Sequence, residues 1–222
     1  MEKSVRSDLT LLHRIPLWLK LVYTAFMAVM IPVYLYRYGP TNFLYFCDIA
    51  LLLTLAGIWL ESPLLISMGA VGILLPQLVW VIDFIANVAG LPVTGMTDYM
   101  FEAQRSLFLR GLSLFHGWLP FLLFYLVWRI GYDRRALPAW TLLSFIVLPI
   151  CYFFLPPPQP KPGLMPVNIN YVWGFSDHAP QAWVPPDVWF AGLLFGLPIL
   201  VYWPTHLLLR RFMLQAASRQ AD

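Results

Sequence analysis

Three apolar stretches of this chain carry side chains that could do chemistry. Cys47 and Asp48 are adjacent in NFLYFCDIALLLTL, His116 lies in LSLFHGWLPFLLF, and Asp83 lies near the end of another apolar run. Thiol, imidazole and carboxylate groups serve nucleophilic acyl transfer, and imidazole with carboxylates can also bind a metal ion. An ionisable group inside a membrane span is costly and marks a candidate functional site.

The composition predicts a membrane protein. Of 222 residues, 60% are hydrophobic and 11% charged, which is more apolar surface than a soluble domain of this size can bury. The length allows about six spans with short connections, so residues 1–222 are predicted to form one helical bundle. The net charge of +3 is small and lies at helix ends, which argues against a nucleic-acid partner and favours membrane lipids.

Hydropathy and turn residues divide the chain into six predicted transmembrane helices. A span needs about 20 apolar residues. Six runs qualify, at about 17–37, 42–60, 63–86, 107–128, 138–155 and 188–209. The outer loop 156–187, rich in Pro and aromatic residues, is predicted to form an interfacial belt or a lid over a lipid-accessible cavity.

The distribution of Lys and Arg predicts that both termini are cytoplasmic. With the N-terminus inside, ten cations lie on the inner side: Lys3, Arg6, Arg14, Lys20, Arg129, Arg134, Arg135, Arg210, Arg211 and Arg219. Four remain outside: Arg37, Arg105, Arg110 and Lys161. The first apolar run is followed by no small-residue cleavage site, so we interpret it as a retained anchor.

In this orientation the polar groups of spans two, three and four all lie in the outer half of the bilayer. Helical spacing places Tyr45 on one stripe with Asp48, Trp80 on one face with Asp83, and Ser113 on one face with His116. Each group also has a structural interpretation. Asp83 could bind Arg105, Arg110 or an outer loop, and His116 could be a satisfied core histidine. Cys47 could be a small buried side chain or could form a disulfide with Cys151.

Two segments resemble known membrane enzymes. FLYFCDIALLL resembles the LHLCD-(I/L)-(A/S)-L stretch of a family of bacterial integral membrane proteins, related to the transmembrane acyltransferase that remodels ether phospholipids. Together with LSLFHGWLPFLLF, it is also similar to paired segments of the androgen-induced integral membrane hydrolases of fatty acid esters of hydroxy fatty acids. The Thr of those hydrolases would fall on Tyr45, and the first His of their NHxxHT motif has no counterpart here.

The resemblance implies a lipid acyl hydrolase or acyltransferase in a bacterial inner membrane. It places the nucleophile on Cys47 and the general base on His116, with the site open to the outer leaflet. Asp48 or Asp83 could then orient the imidazole. Asn42, Asn168 or Asn170 could help to hold an oxyanion. No cofactor is expected.

Three other functions fit the same residues. Asp48, Asp83 and His116 could be the ligands of a metal-dependent membrane amidase. The chain could be a non-enzymatic lipid-binding or accessory subunit whose polar groups only hold the helices together. The same groups could carry protons or ions, although the inner half of the predicted bundle has few ionisable groups to complete such a path.

Overall fold

The computed structural model describes residues 15–91, 93–103 and 105–219, with side chains as far as residue 213. This part of the chain is helical and contains no β-strand. Five of its continuous helical segments are long and apolar enough to cross a membrane: Leu17–Tyr38, Pro63–Val88, Leu107–Ile130, Ala136–Phe154 and Pro186–Met213. The predicted all-α class and multi-pass membrane architecture therefore agree with the structure. Three of the cations counted on the inner side, Lys3, Arg6 and Arg14, lie outside the described residues.

The helices have the following bounds. They are α1 (Leu17–Tyr38), α2 (Phe46–Leu60), α3 (Pro63–Val88), α4 (Leu107–Ser113), α5 (Phe115–Ile130), α6 (Ala136–Phe154), α7 (Pro186–Leu197) and α8 (Trp203–Arg219). Short 3₁₀ turns occupy Pro40–Leu44, Asp98–Met100 and Ile169–Tyr171. A π-helical turn, Pro198–Tyr202, joins α7 to α8.

The predicted helix 42–60 is divided in the structure. Its first residues belong to the 3₁₀ turn, and Tyr45 is extended, with φ −60° and ψ 135°. The regular helix therefore begins only at Phe46 and has 15 residues, fewer than the other candidate spans.

The predicted helix 107–128 is also interrupted, between α4 and α5. The His116 side chain forms a hydrogen bond with the carbonyl oxygen of Ser113. In a regular helix the N–H of Gly117 would donate to that oxygen. Here it donates instead to the carbonyl oxygen of Leu114, at 2.9 Å. A side chain that takes a backbone acceptor competes with the helical ladder. This competition explains the break at Leu114.

Helix α3 is the centre of the bundle and packs against α2, α5, α6 and α8. Gly72 of α3 lies directly against the indole of Trp140 on α6, where a Cβ atom would fall 1.9 Å from the ring. At one end of the bundle, Lys20 of α1 forms an ion pair of 2.6 Å with Glu61 at the end of α2. Lys20 lies in the first turn of α1 and Glu61 directly follows the last residue of α2. The two helices therefore run antiparallel.

The long loop after α6 is tied to the bundle by stacked aromatic rings. The ring of Tyr152 on α6 lies 4.4 Å from that of Trp173 in the loop and 4.3 Å from that of Phe190 on α7. The loop also contains non-glycine residues with positive φ: Asn168, Asn170 and Tyr171. Such backbone is costly and persists where surrounding contacts fix it.

Candidate functional site

Cys47 is the second residue of α2 and is half-buried. The extended Tyr45 directs the chain into the helix just before it. The first turn of a helix carries the positive end of the helix dipole, which favours a thiolate over a thiol. The apolar surroundings and the adjacent Asp48 act in the opposite direction and favour the neutral thiol, so this cysteine needs a base in order to react.

Two loop tyrosines have raised pKa values. Burial raises the pKa of Tyr99, in the loop after α3, with a smaller electrostatic contribution from Cys47. Burial also raises the pKa of Tyr171, in the loop after α6, with smaller contributions from Asp177 and then Cys47. Both phenols are therefore neutral and can act as hydrogen-bond donors.

Asp48 is almost fully buried, with 2% of its surface exposed. Its Oδ2 accepts a hydrogen bond of 2.6 Å from Nδ2 of Asn42, whereas its Oδ1 has no partner among the described residues. A buried polar atom without a partner is uncommon and calls for an explanation. Asn42 uses one of its two amide hydrogens on this bond.

His116 has a fixed ring orientation. Its Nδ1 lies 2.8 Å from the carbonyl oxygen of Ser113, which can only accept, so Nδ1 carries the proton. In the neutral ring, Nε2 then holds the lone pair needed by a general base. The ring stacks on Trp80 at 5.0 Å, and there is open space beside Gly117. The Ser113 hydroxyl itself lies 3.0 Å from that of Tyr34.

The carboxylate of Asp83 holds the loop after α3 in place. It accepts hydrogen bonds from the backbone N–H of Thr94, at 2.6 Å, and of Thr97, at 3.0 Å. The Thr97 hydroxyl donates a third, at 2.7 Å. Among the described residues, Asp83 thus binds the loop that follows its own helix rather than Arg105, Arg110 or the loop 156–187. The bonds position the segment that carries Tyr99 and Arg105.

Asn170 connects the outer loop to the beginning of α2. Its Oδ1 accepts from the N–H of Phe46 at 2.9 Å, and its Nδ2 donates to the carbonyl oxygen of Leu44 at 2.8 Å. Nδ2 also contacts Sγ of Cys151 at 3.6 Å. Both amide hydrogens of Asn170 are therefore engaged, and the residue fixes the backbone on either side of Tyr45.

Asn168 organises the loop itself. Its Nδ2 donates to the carbonyl oxygens of Gly174 and Ser176, and its Oδ1 accepts from the N–H of Trp173. Among the three asparagines considered for an oxyanion, Asn42 alone retains an amide hydrogen with no partner among the described residues. The hydroxyl of Tyr45 makes a long contact of 3.5 Å with the carbonyl oxygen of Val167.

The four residues expected to do chemistry do not bond one another. Within the described part of the chain, no hydrogen bond joins any two of them: Cys47, Asp48, Asp83 and His116. The imidazole is oriented by a backbone carbonyl rather than by either carboxylate. No cluster of three or more His, Cys, Asp or Glu that could hold a metal is found there, so Asp48, Asp83 and His116 do not gather as ligands. Cys47 and Cys151 are both free thiols, which removes the disulfide alternative.

Sequence reasoning did not single out Tyr99 or Tyr171, and it considered Arg105 only as a partner for Asp83. The guanidinium of Arg105 lies over the rings of Tyr99 and Tyr38, 4.9 and 5.5 Å from their centroids. These residues lie in loops, where no periodicity indicates which side chains meet. The Asp83–Thr97 bonds that bring this loop over the helices were equally invisible in the hydropathy pattern.

Comparison with known proteins gives no family or function for the chain. No family model, no curated protein and no solved structure matches the chain.

Proposed function

We propose that the chain is an intramembrane acyl hydrolase or acyltransferase acting on lipid esters, with Cys47 as nucleophile and His116 as general base. The proposal rests on the position of the Cys47 thiol and on which nitrogen of His116 carries the proton. The thiol lies half-buried in the first turn of α2, and the imidazole is held with its Nδ1 proton on a carbonyl so that Nε2 is free to accept. The resemblance of the two segments to membrane acyltransferases and hydrolases supports the same assignment.

In this mechanism, Nε2 of His116 takes the thiol proton and Sγ of Cys47 attacks the ester carbonyl carbon. The free amide hydrogen of Asn42 is the available donor for the resulting oxyanion. The C–O bond of the ester then breaks, and the alcohol leaves with the proton returned by His116. Water or an acceptor hydroxyl next attacks the thioester and gives its proton to His116; the C–S bond breaks, and the departing thiolate takes that proton back. Because Cys47 and His116 share no hydrogen bond, this mechanism requires substrate binding to bring them together.

We also propose six crossings, with both termini in the cytoplasm. The 15 residues of α2 rise by about 22 Å, and the five residues of Pro40–Leu44 add about 10 Å. Together they match a hydrocarbon layer of about 30 Å. The antiparallel arrangement of α1 and α2, fixed by the Lys20–Glu61 pair, supports this return crossing.

A second candidate is a non-enzymatic lipid-binding or accessory subunit. It is favoured by the many interior polar groups that bond one another across elements, as Asn42 does with Asp48 and Asn170 with Phe46. Bonds of this kind hold membrane helices together without any chemistry.

Trapping of the acyl-enzyme distinguishes the two. The purified protein in nanodiscs is incubated with a phospholipid carrying an alkyne-tagged acyl chain, and label released by neutral hydroxylamine is measured as thioester. We expect labelling of the wild type and of Cys151→Ser, the matched control at the other free thiol, and none of Cys47→Ser. His116→Gln should label at least about 100-fold more slowly, within the range of general-base catalysis. Equal labelling of Cys47→Ser and wild type would remove the enzyme proposal.

A further inference from the structure

A shallow groove opens on the surface of the bundle where α1 ends and α4 begins. Its volume is about 560 Å³. Its lining comes from the last turns of α1 and the first of α4: Pro32, Val33, Tyr36, Arg37, Ser106, Phe108 and Leu109. On the proposed topology this end lies at the outer headgroup level.

The groove is apolar over most of its length and cationic at one point. Pro32, Val33, Phe108 and Leu109 offer only hydrocarbon, which suits an acyl chain. Arg37, at the end of α1, is the cation that lines it. The hydroxyl of Ser106 accepts from the N–H of Leu109 and keeps its own proton to donate. The phenol of the exposed Tyr36 is a further donor.

The three arginines at this end of the bundle differ in their partners. Arg105 binds Glu102 and the hydroxyl of Tyr38, and Arg110 donates to the backbone carbonyls of Arg105 and Glu102. Arg37 makes no ion pair or hydrogen bond with any residue that the structure describes, and its side chain is exposed. An unpaired guanidinium beside an apolar groove in a bilayer complements a phosphate ester with a hydrocarbon tail.

We propose that this groove binds a glycerophospholipid, with its phosphate on Arg37 and Ser106 and one acyl chain along Val33 and Phe108. The site lies outside the residues assigned to acyl chemistry and does not depend on that chemistry. It is a lipid site on the surface of the bundle, formed by α1 and α4.

Native mass spectrometry of the full chain in detergent tests the proposal. The probes are phosphatidylglycerol and a diacylglycerol with the same acyl chains but no phosphate. We expect the wild type to retain one phosphatidylglycerol in preference to diacylglycerol. Arg37→Gln should weaken retention of phosphatidylglycerol at least about fivefold, the effect of losing a charge-assisted contact at an exposed site. Val33→Trp, which fills the groove, should weaken retention of both lipids.

Arg211→Gln is the matched control, because it removes one exposed arginine from α8, which does not line the groove. It should leave retention unchanged. An equal loss in Arg37→Gln and Arg211→Gln would show bulk charge attraction, and no loss in Arg37→Gln would show that the phosphate does not bind there. Either result overturns the proposal. So does displacement of the lipid by excess inorganic phosphate, which would identify a site for the free anion.

Discussion

Asn170 shows how one loop residue determines the geometry of a site in a distant helix. Its side chain satisfies the N–H of Phe46 and the carbonyl of Leu44, while its own backbone has a φ of 59°. A β-carbon is disfavoured in that conformation, so the contacts with α2 must offset the strain. The residue was foreseen as part of the site, but in a different role, as an oxyanion donor.

Two substitutions of Asn170 separate the lost bonds from the backbone strain. Asn170→Ala and Asn170→Gly both leave the Leu44 and Phe46 groups without their partner, which should lower the free energy of unfolding by about 2–4 kcal/mol. Glycine tolerates positive φ, so Asn170→Gly should be more stable than Asn170→Ala by about 1 kcal/mol. Unfolding in mixed micelles measures both variants. Equal stabilities would mean that the backbone relaxes and stores no strain.

At the scale of elements, the sequence predicted where helices lie better than where they are interrupted. Hydropathy and turn residues located most helix ends to within a few residues, but the last helix extends to Arg219 rather than to 209. The breaks inside 42–60 and 107–128 depend on single contacts, such as that of the His116 side chain with the Ser113 carbonyl. Hydropathy averages over many residues and carries no information about such contacts.

The packing of α3 on α6 gives a prediction for Gly72. A Cβ atom there would fall 1.9 Å from Cε2 of Trp140, a fully buried ring that cannot move aside cheaply. Gly72→Ala should therefore destabilise the fold by about 3 kcal/mol, at the upper end for overpacking. The same unfolding measurement gives the value.

Gly192→Ala is the control for this change. A Cβ atom at Gly192, in α7, would meet nothing within 4 Å. This variant should be neutral or stabilised by up to about 1 kcal/mol through helix propensity. If both alanine variants have the same stability, the α3–α6 contact is looser than described.

At the scale of the whole molecule, composition alone was sufficient to predict a helical membrane bundle. A chain with this many apolar residues cannot bury them all in water and needs a lipid bilayer around it. The attachment of the loops after α3 and α6 to the helices could not be predicted in this way. It depends on Asp83 reaching Thr94 and Thr97, and on Asn170 reaching Phe46, pairs that no local pattern links. The site is formed by residues that are far apart in the sequence, whereas each span is a single continuous segment.

The proposed topology predicts which loops lie on the side of the membrane opposite the cytoplasm. In a variant lacking both native cysteines, Lys161→Cys in the loop after α6 should react with a membrane-impermeant maleimide in intact cells. Arg134→Cys, in the loop between α5 and α6, should react only after permeabilisation. Both positions are exposed, so accessibility within the protein does not limit either reaction. The reverse pattern would invert the orientation, and reaction of both from outside would rule out six crossings.

The bond between Asn170 and Phe46 has a consequence for biosynthesis. The two residues are 124 positions apart, and the ribosome makes the first turn of α2 long before it makes the loop that completes it. A nascent chain can therefore insert α1 to α6 while the backbone next to the thiol still awaits its final partner. An incomplete or truncated product would carry the cysteine without its mature surroundings, so reactivity would arise only once synthesis had passed the sixth helix.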